Sequence, residues 1–133
     1  MKNAVDNFGR TAGKIWRALD KNGPLSEETL VKKTRLNKND FYAGIGWLAR
    51  ENKVSKDGTI YRLSETNLTE KIGGDAGKIW NTLNTTKDIN VTSITKISQV
   101  KIKDAYSALG WLARENKIKT NYNNKQVKYE LKN

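Results

Sequence analysis

The side chains able to do chemistry in this chain are basic, aromatic and amide groups on a predicted third helix, the helix before it and a hairpin after it. Ammonium, guanidinium and amide groups donate hydrogen bonds to phosphate oxygens and base edges. These residue types, repeated in both halves of the chain, make nucleic acid the predicted ligand. The candidate binding residues are Lys32, Lys33, Lys38, Asn39, Tyr42, Arg50, Lys56, Lys96, Lys101, Lys103, Tyr106, Ser107, Arg114, Lys119, Lys125 and Lys128.

Other chemistries have little support in the sequence. The chain contains no cysteine and no histidine, so disulfides, the usual zinc sites and Cys- or His-based catalysis are excluded. It contains no Gly-rich phosphate loop, no paired-carboxylate pattern and no Ser or Lys nucleophile motif. We therefore expect a binding protein that is not an enzyme and that has no cofactor and no catalytic or metal-binding residues.

Two blocks of sequence recur 64 residues apart, with no insertion between them. Ala12-Gly13-Lys14-Ile15-Trp16 returns as residues 76–80, and Gly46-Trp47-Leu48-Ala49-Arg50-Glu51-Asn52-Lys53 returns as residues 110–117. A chain of 133 residues divided in this way predicts two small domains, residues 1–66 and residues 67–133.

The charge of the chain favours an anionic partner. The net charge is +11, divided as +5 and +6 between the two halves, and a basic excess of this kind is typical of nucleic-acid binding. A merely solvated surface is the alternative interpretation. No apolar run is long enough for a signal peptide or a membrane span, so we expect a cytoplasmic protein with no membrane partner, associated with the nucleoid if it binds DNA.

Apolar spacing predicts the helices of each unit. The first helix carries Ala12, Ile15, Trp16 and Leu19 at helical spacing. Thr11 and its counterpart Asp75 are its predicted N-caps, and Asn22-Gly23-Pro24 ends it. Trp16 and Trp80 are accordingly predicted as core residues. Trp47 and Trp111 are expected at the margin, where they would close the core against the first helix or the hairpin.

Capping and period changes predict the remaining elements. Ser26 and Asn37 are predicted N-caps of the second and third helices. Beyond Asn52 the apolar period becomes 2, and Asp57-Gly58 predicts a two-residue hairpin. The second hairpin needs four extra residues, placed at a tip around Tyr122-Asn123-Asn124. The predicted core side of the third helix consists of Phe41, Gly44, Ile45 and Leu48, and of Ala105, Ala108, Leu109 and Leu112.

The element order is helix, short strand, helix, turn, helix and hairpin, given twice. This predicts an α+β fold, mainly α with small β-hairpins, made of two tandem winged helix-turn-helix units. The segment from Ser64 to Asp75 is short, and Asn67 and Glu70 are predicted to cap a helical turn within it. We therefore expect the two units to pack together or at least to be restricted.

The two repeated blocks, with Gly9 and Gly73 just upstream, resemble a family of small winged helix-turn-helix domains of unassigned function from archaea and bacteria. The resemblance covers nearly the whole chain, once per half. The chain departs from it at Gly44, where a residue such as Ala is more usual, as at Ala108. The family has no settled activity, so the resemblance implies the fold, and implies function only by analogy with winged helices.

The side of the third helix opposite the predicted core has two interpretations. It carries small residues, among them Ala43 and Gly46, which would let either a DNA backbone or another helix approach closely. In the second case Trp47 would act as an apolar anchor. Arg50 and Arg114 have two interpretations as well, as ion pairs with neighbouring glutamates or as phosphate ligands.

The predicted function is duplex DNA binding, by a transcriptional regulator or a small chromatin-type protein, through the third helix and basic wing of each unit. The alternative is a protein interaction module, or self-association, in which the face with small residues and Trp47 docks a partner. RNA binding is a third interpretation.

Overall fold

A computed structural model describes residues 4–123 and 125–132 of the chain. The predicted α+β fold with two tandem winged helix-turn-helix units is confirmed. The first unit contains α1 (Ala4–Asn22), β1 (Leu25–Ser26), α2 (Glu27–Thr34), α3 (Lys38–Arg50), β2 (Val54–Asp57) and β3 (Ile60–Leu63). After a turn of π-helix (Thr69–Gly73), the second unit contains α4 (Gly74–Thr86), α5 (Val91–Ser98), α6 (Ile102–Arg114), β4 (Ile118–Asn123) and β5 (Gln126–Leu131).

The strands of the two units match each other position by position. In the first unit β1, β3 and β2 form an antiparallel sheet in which Leu25 pairs with Tyr61. In the second unit an isolated bridge joins Ile89 to Tyr129 in the same way. Each strand of the second hairpin has six residues where the first has four, which accounts for the four extra residues. Asn124 at its tip lies outside the described residues.

The structure confirms the predicted caps Ser26 and Asn37 and overturns Thr11 and Asp75. The side chains of Ser26 and Asn37 accept hydrogen bonds from the backbone N–H groups of Thr29 (3.2 Å) and Asp40 (2.8 Å). The prediction for Thr11 is wrong, because α1 begins at Ala4 and Thr11 is a buried residue inside it. The prediction for Asp75 is also wrong, because the π-helical turn runs directly into α4. Apolar periodicity did not show these extensions.

Each unit has its own hydrophobic core, to which the other unit also contributes: Ile72 in the first core, and Phe8 and Ala43 in the second. The first core is built around Ile15, Phe41 and Leu48 and also contains Ile72. The second is built around Ile79, Leu109 and Leu112 and also contains Phe8. Phe8 and Ile72 are 64 residues apart, so the exchange between the units is reciprocal. It confirms that the units are packed together.

The tryptophans behave differently from one another. The prediction that Trp16 and Trp80 are core residues is wrong, since each side chain is 37% exposed. The buried stripe of α1 runs through Phe8, Ala12, Ile15 and Leu19, which leaves position 16 at its margin. Trp47 and Trp111 are partly buried and contact both cores. Trp47 packs against Gly9 and Trp111 against Gly73, as expected for residues that close the core against the first helix.

The connection between the units is ordered by specific contacts. Asn67 does not cap a helix as predicted. Its side chain instead accepts a hydrogen bond from the backbone N–H of Lys56 (3.0 Å) and donates one to the Lys56 carbonyl (2.7 Å). This ties the segment to the first hairpin before the chain enters the π-helical turn. Within the described residues, no helix combines the length and apolar character needed to cross a membrane.

Candidate nucleic-acid interface

The third helices of the two units, α3 and α6, cross each other in direct backbone contact. A Cβ atom added to Gly46 would lie 1.8 Å from the carbonyl oxygen of Ser107, and one added to Gly110 would lie 1.8 Å from that of Ala43. No side chain fits at either glycine. Gly46 and Gly110 are 64 residues apart, as are Ala43 and Ser107, so the contact has approximate twofold symmetry.

Reciprocal charged contacts surround this crossing. Arg50 forms an ion pair with Glu115 (3.0 Å), and Arg114 forms one with Glu51 (2.9 Å). Each guanidinium also lies over the indole of the opposite unit, Arg50 above Trp111 at 5.7 Å and Arg114 above Trp47 at 6.0 Å. These arginines stabilise the contact between the units, as in the interpretation that placed them in ion pairs, although the partners come from the other unit.

The crossing decides between the two interpretations of the small-residue face. Ala43 and Gly46, expected on the outer side of α3, are buried against α6. The occupant of this face is the other unit of the same chain. Tyr42 and Ser107 are each only 8% exposed, and Tyr106 is half-buried. These three candidate residues lack the free helix face that insertion into a DNA groove requires.

The candidate residues at the turns of the two helix-turn-helix motifs are placed differently. We call the two clusters the basic turns: Lys32, Lys33, Arg35 and Lys38 in the first unit, with Lys96, Lys101 and Lys103 in the second. All seven are exposed. Lys32 has an ion pair with Glu28 at 3.5 Å. For the other six, the described residues provide no carboxylate within ion-pair distance, so their charges are available to a ligand.

The starts of the two crossed helices lie close to each other. The ammonium of Lys103, near the start of α6, lies 5.2 Å from the ring centre of Tyr42, near the start of α3. Asn39 is exposed beside Lys38 at the same end of α3. The crossing therefore brings the starts of both third helices together, and with them most of the exposed candidate residues.

The candidate residues of the wings are more strongly engaged within the protein. Lys56 is half-buried with its ammonium 5.5 Å from the ring centre of Tyr61. Lys119 is half-buried and paired with Glu130 at 3.1 Å. Lys128 is half-buried, and Lys125 is exposed with a positive φ of 62° beside the hairpin tip. Of these four lysines only Lys125 is exposed, so only its ammonium group is fully available to a ligand.

Sequence reasoning missed two surfaces of α1. Its outer face carries a basic stripe at helical spacing, composed of the exposed Arg10, Lys14, Arg17 and Lys21. Beside it lies a groove next to Trp16 and Gly13, and its equivalent lies next to Trp80 and Gly77. The spacing i, i+4, i+7, i+11 would have revealed the stripe. No spacing in the sequence indicates the grooves, because the apolar pattern predicts Trp16 and Trp80 in the core.

Arg35, in the first basic turn, was also missed. It ends α2 in the left-handed conformation with φ of 58°, and Gln99 takes the same conformation at the end of α5. The predictions placed only a turn there.

A tyrosine pair in the first unit shares one carboxylate. Tyr42 and Tyr61 donate hydrogen bonds to Glu27 at 2.8 and 3.2 Å. Burial, together with the hydrogen bond to Glu27, raises the pKa of Tyr42 to about 12. Burial and the charge of Glu27 raise the pKa of Tyr61 well above its usual range. Both hydroxyls therefore remain donors at neutral pH.

The class of protein defined by these elements is a tandem winged helix-turn-helix protein whose two third helices pack on each other. The family described as winged helix-turn-helix domain (DUF2582) matches the chain twice, over residues 1–67 and 65–131. The chain belongs to this family. No curated protein and no solved structure matches it.

Proposed function

We propose that this protein binds duplex DNA through phosphate contacts made by its two basic turns. The observation that supports this proposal best is the contact of Lys103, near the start of α6, with the ring of Tyr42, near the start of α3. Lys33, Lys38 and Lys101 are exposed there and have no carboxylate partner among the described residues. Exposed, unpaired ammonium groups in a cluster are the elements that neutralise DNA phosphates.

The proposed mode differs from the usual winged-helix mode. Insertion of a third helix into the major groove would require its outer face to be free, and here the crossing of α3 and α6 buries that face. The basic turns would instead contact the sugar-phosphate backbone, which carries no direct sequence information. We therefore expect binding with little sequence preference. The role would be that of a small chromatin-type protein more than that of a regulator specific to one operator.

The test is a comparison of two triple variants with equal charge loss. In the first, Lys33, Lys38 and Lys101 become Gln, and in the second Lys14, Arg17 and Lys21 on the outer face of α1 become Gln. Each is titrated against a labelled duplex by fluorescence anisotropy across a range of salt concentrations. The basic-turn variant should bind less tightly, and its slope of log affinity against log salt should fall by about one per lost contact. The α1 variant should keep the wild-type slope.

Two results would contradict the proposal. Equal losses in both variants would show that net charge, and not the basic turns, governs binding. A wild-type protein that fails to bind duplex DNA at low salt would remove the function altogether.

A second candidate function is docking of an acidic helix of a partner protein in the two outer grooves. Gly77 has no atom within 4 Å of its Cβ position, and Gly13 has only the Arg17 side chain. Both lie inside helices, where glycine costs about 1 kcal/mol relative to alanine. By contrast, the space beside Gly46 and beside Gly110 is occupied by the backbone of the crossing helix. In each groove a lysine of the rim is paired with a glutamate of the same rim, Lys53 with Glu51 at 3.6 Å and Lys117 with Glu115 at 3.4 Å. Arg17 adds a further positive charge to the first groove, and the preference for an acidic partner rests on that groove.

A designed acidic amphipathic helix tests this second function. Its binding should change the emission of Trp16 and Trp80, and Gly77→Leu should remove the part due to the second groove. A lysine version of the same peptide is the control. Equal binding of both peptides, or an unchanged response in Gly77→Leu, would exclude the grooves as the docking site.

A further inference from the structure

A charged cluster on one side of the contact between the two units is fully paired. The Glu27 carboxylate accepts hydrogen bonds from Tyr42 and Tyr61. Lys71 forms ion pairs with Asp104 at 3.4 Å and with Asp75 at 2.9 Å. Lys103 places a second ammonium over the ring of Tyr42. One carboxylate and two ammonium groups, all supplied by the chain, thus complete this cluster around Tyr42 and Asp104.

The positions equivalent by the repeat, on the other side of the contact between the units, keep the tyrosines and the aspartate of this cluster but lack the carboxylate and the two ammonium groups. The tyrosines return as Tyr106 and Tyr129, and the aspartate returns as Asp40. Position 91, equivalent to Glu27, is a valine, and positions 7 and 39, equivalent to Lys71 and Lys103, are asparagines. All six residues line one cleft of about 430 Å³.

The two tyrosine hydroxyls and the aspartate carboxylate in this cleft lack the hydrogen-bond and ion-pair partners that their counterparts have in the paired cluster. Tyr129 is 3% exposed, and neither its hydroxyl nor that of Tyr106 has a hydrogen-bond partner among the described residues. Asp40 receives a hydrogen bond from the Asn37 side chain at 3.0 Å, and no cation of the described residues lies within ion-pair distance of it. Burial raises the pKa of Tyr106, and the negative charge of Asp40 raises it further, so this hydroxyl is a donor at neutral pH.

We propose that this cleft binds a free amino acid in its zwitterionic form. The ligand carboxylate takes the place of the missing Glu27 side chain and accepts hydrogen bonds from Tyr106 and Tyr129. The ligand ammonium takes the place of the missing lysine ammonium groups and pairs with Asp40. Charge-assisted hydrogen bonds of this kind are about twice as strong as neutral ones.

A ligand with only a carboxylate, or with only an ammonium, does not match the cleft. Asp40 is the one charged residue in its lining, so a lone carboxylate or a phosphate would be repelled. A lone amine would leave both tyrosine hydroxyls without the carboxylate acceptor that Glu27 provides for Tyr42 and Tyr61. The remaining wall includes Phe8, Val91 and Val127, so an apolar side chain on the amino acid fits best.

The cleft lies between the two units. Phe8 and Asp40 come from the first unit, whereas Tyr106 and Tyr129 come from the second. Asn39, which also lines it, is next to Lys38 of the first basic turn. An amino acid bound here would contact both units beside the proposed DNA-binding surface, but its binding does not depend on DNA binding.

The first experiment compares L-valine with its two fragments, isovalerate, which lacks the ammonium, and isobutylamine, which lacks the carboxylate. Titrations of the whole protein are followed by NMR, with the signals of Asn39, Tyr106 and Gln126 as reporters. L-valine should bind at least about ten times more tightly than either fragment, because each fragment loses one charge-assisted interaction. Equal affinity for L-valine and isovalerate, or no response to L-valine at millimolar concentration, would overturn the proposal.

Variants that supply the missing groups give the second test. Val91→Glu provides the carboxylate. Asn7→Lys provides the ammonium that Lys71 supplies to Asp104 in the completed cluster, and each variant should weaken L-valine binding at least about tenfold. Asn7 is exposed, so Asn7→Lys remains a valid test if Val91→Glu does not fold. Circular dichroism verifies folding. Unchanged affinity in a folded variant of either kind would overturn the proposed site.

A control separates this site from the DNA-binding surface. The triple variant of Lys33, Lys38 and Lys101 should bind L-valine like the wild type, because none of these residues lines the cleft. A loss of L-valine binding in this control would place the ligand on the basic turns and overturn the assignment to the cleft.

Discussion

Gly46 lies against the backbone of Ser107, so close that an added Cβ atom would be 1.8 Å from the carbonyl oxygen. The neighbour is backbone and not the end of a flexible side chain, so it cannot yield without moving a helix. Gly110 has the same relationship with Ala43. The two glycines are therefore required by the contact between the units.

Gly46→Ala should lower the free energy of unfolding by about 3 kcal/mol or more, at the upper end of overpacking effects. Urea unfolding followed by circular dichroism measures the change. Gly77→Ala is the matched control, because nothing lies within 4 Å of its Cβ position. That variant should be more stable by up to about 1 kcal/mol, from helix propensity alone. If Gly46→Ala leaves the free energy of unfolding unchanged, α3 and α6 are not in the backbone contact described above.

The tryptophans should differ in their contributions to stability. Trp47 contacts both cores, and Trp47→Ala should cost about 3–5 kcal/mol. Trp16 lies at the margin of the buried stripe of α1 and is 37% exposed. Trp16→Ala should therefore lower the free energy of unfolding by only about 1–2 kcal/mol. Thermal unfolding of the two variants measures the difference. Equal losses of stability in the two variants would show that Trp16 is a core residue, as the sequence pattern predicts.

Removal of Glu27 should create a site that acetate can fill. Glu27→Val leaves the hydroxyls of Tyr42 and Tyr61 without their acceptor, at a cost of about 1–3 kcal/mol. Acetate, supplied at tens of millimolar, should restore part of the lost melting temperature by binding the folded state. Glu28→Val, at a neighbouring side chain that is 82% exposed, should show neither the loss nor the acetate effect. An equal acetate response in both variants would show that the anion acts elsewhere.

Stability should decline at alkaline pH because of the tyrosines. Burial, together with the hydrogen bond to Glu27, raises the pKa of Tyr42 to about 12, whereas an unfolded chain ionises tyrosine near pH 10. Between these values the unfolded state releases protons that the folded state keeps, so stability falls as pH rises. The Lys71 pKa, raised by Asp75, acts in the same direction. Urea unfolding from neutral to strongly alkaline pH should show a plateau and then this decline, which should be smaller in Tyr42→Phe.

Local signals made most of the fold predictable. The exact repeat gave the two units, and the caps at Ser26 and Asn37 act on backbone groups only three residues away. The start of α1 was missed because it depends on a long-range contact. Phe8 is buried in the core of the other unit, and no periodicity within its own helix could show that partner.

The candidate site was predictable in its residue types but not in its arrangement. Lysines at the basic turns are exposed because no residue in the described part of the chain covers them, and the sequence pattern predicts them at the surface. The burial of Tyr42 and Ser107 comes from the packing of one unit on the other. The small residues Ala43 and Gly46 had left both a DNA backbone and a helix open as the neighbour, and only the three-dimensional contact identifies α6.

The twofold character of the crossing is that of an isologous homodimer interface built into a single polypeptide. Two separate copies would depend on their concentration to stay paired, whereas the covalent link holds the local concentration of the partner high at any dilution. The link also allows each copy to mutate independently, which identical subunits encoded by one gene cannot do. Glu27 and Val91 are one such difference: the first belongs to a closed electrostatic network, and the second lines the cleft in which we propose that an amino acid supplies the corresponding charges.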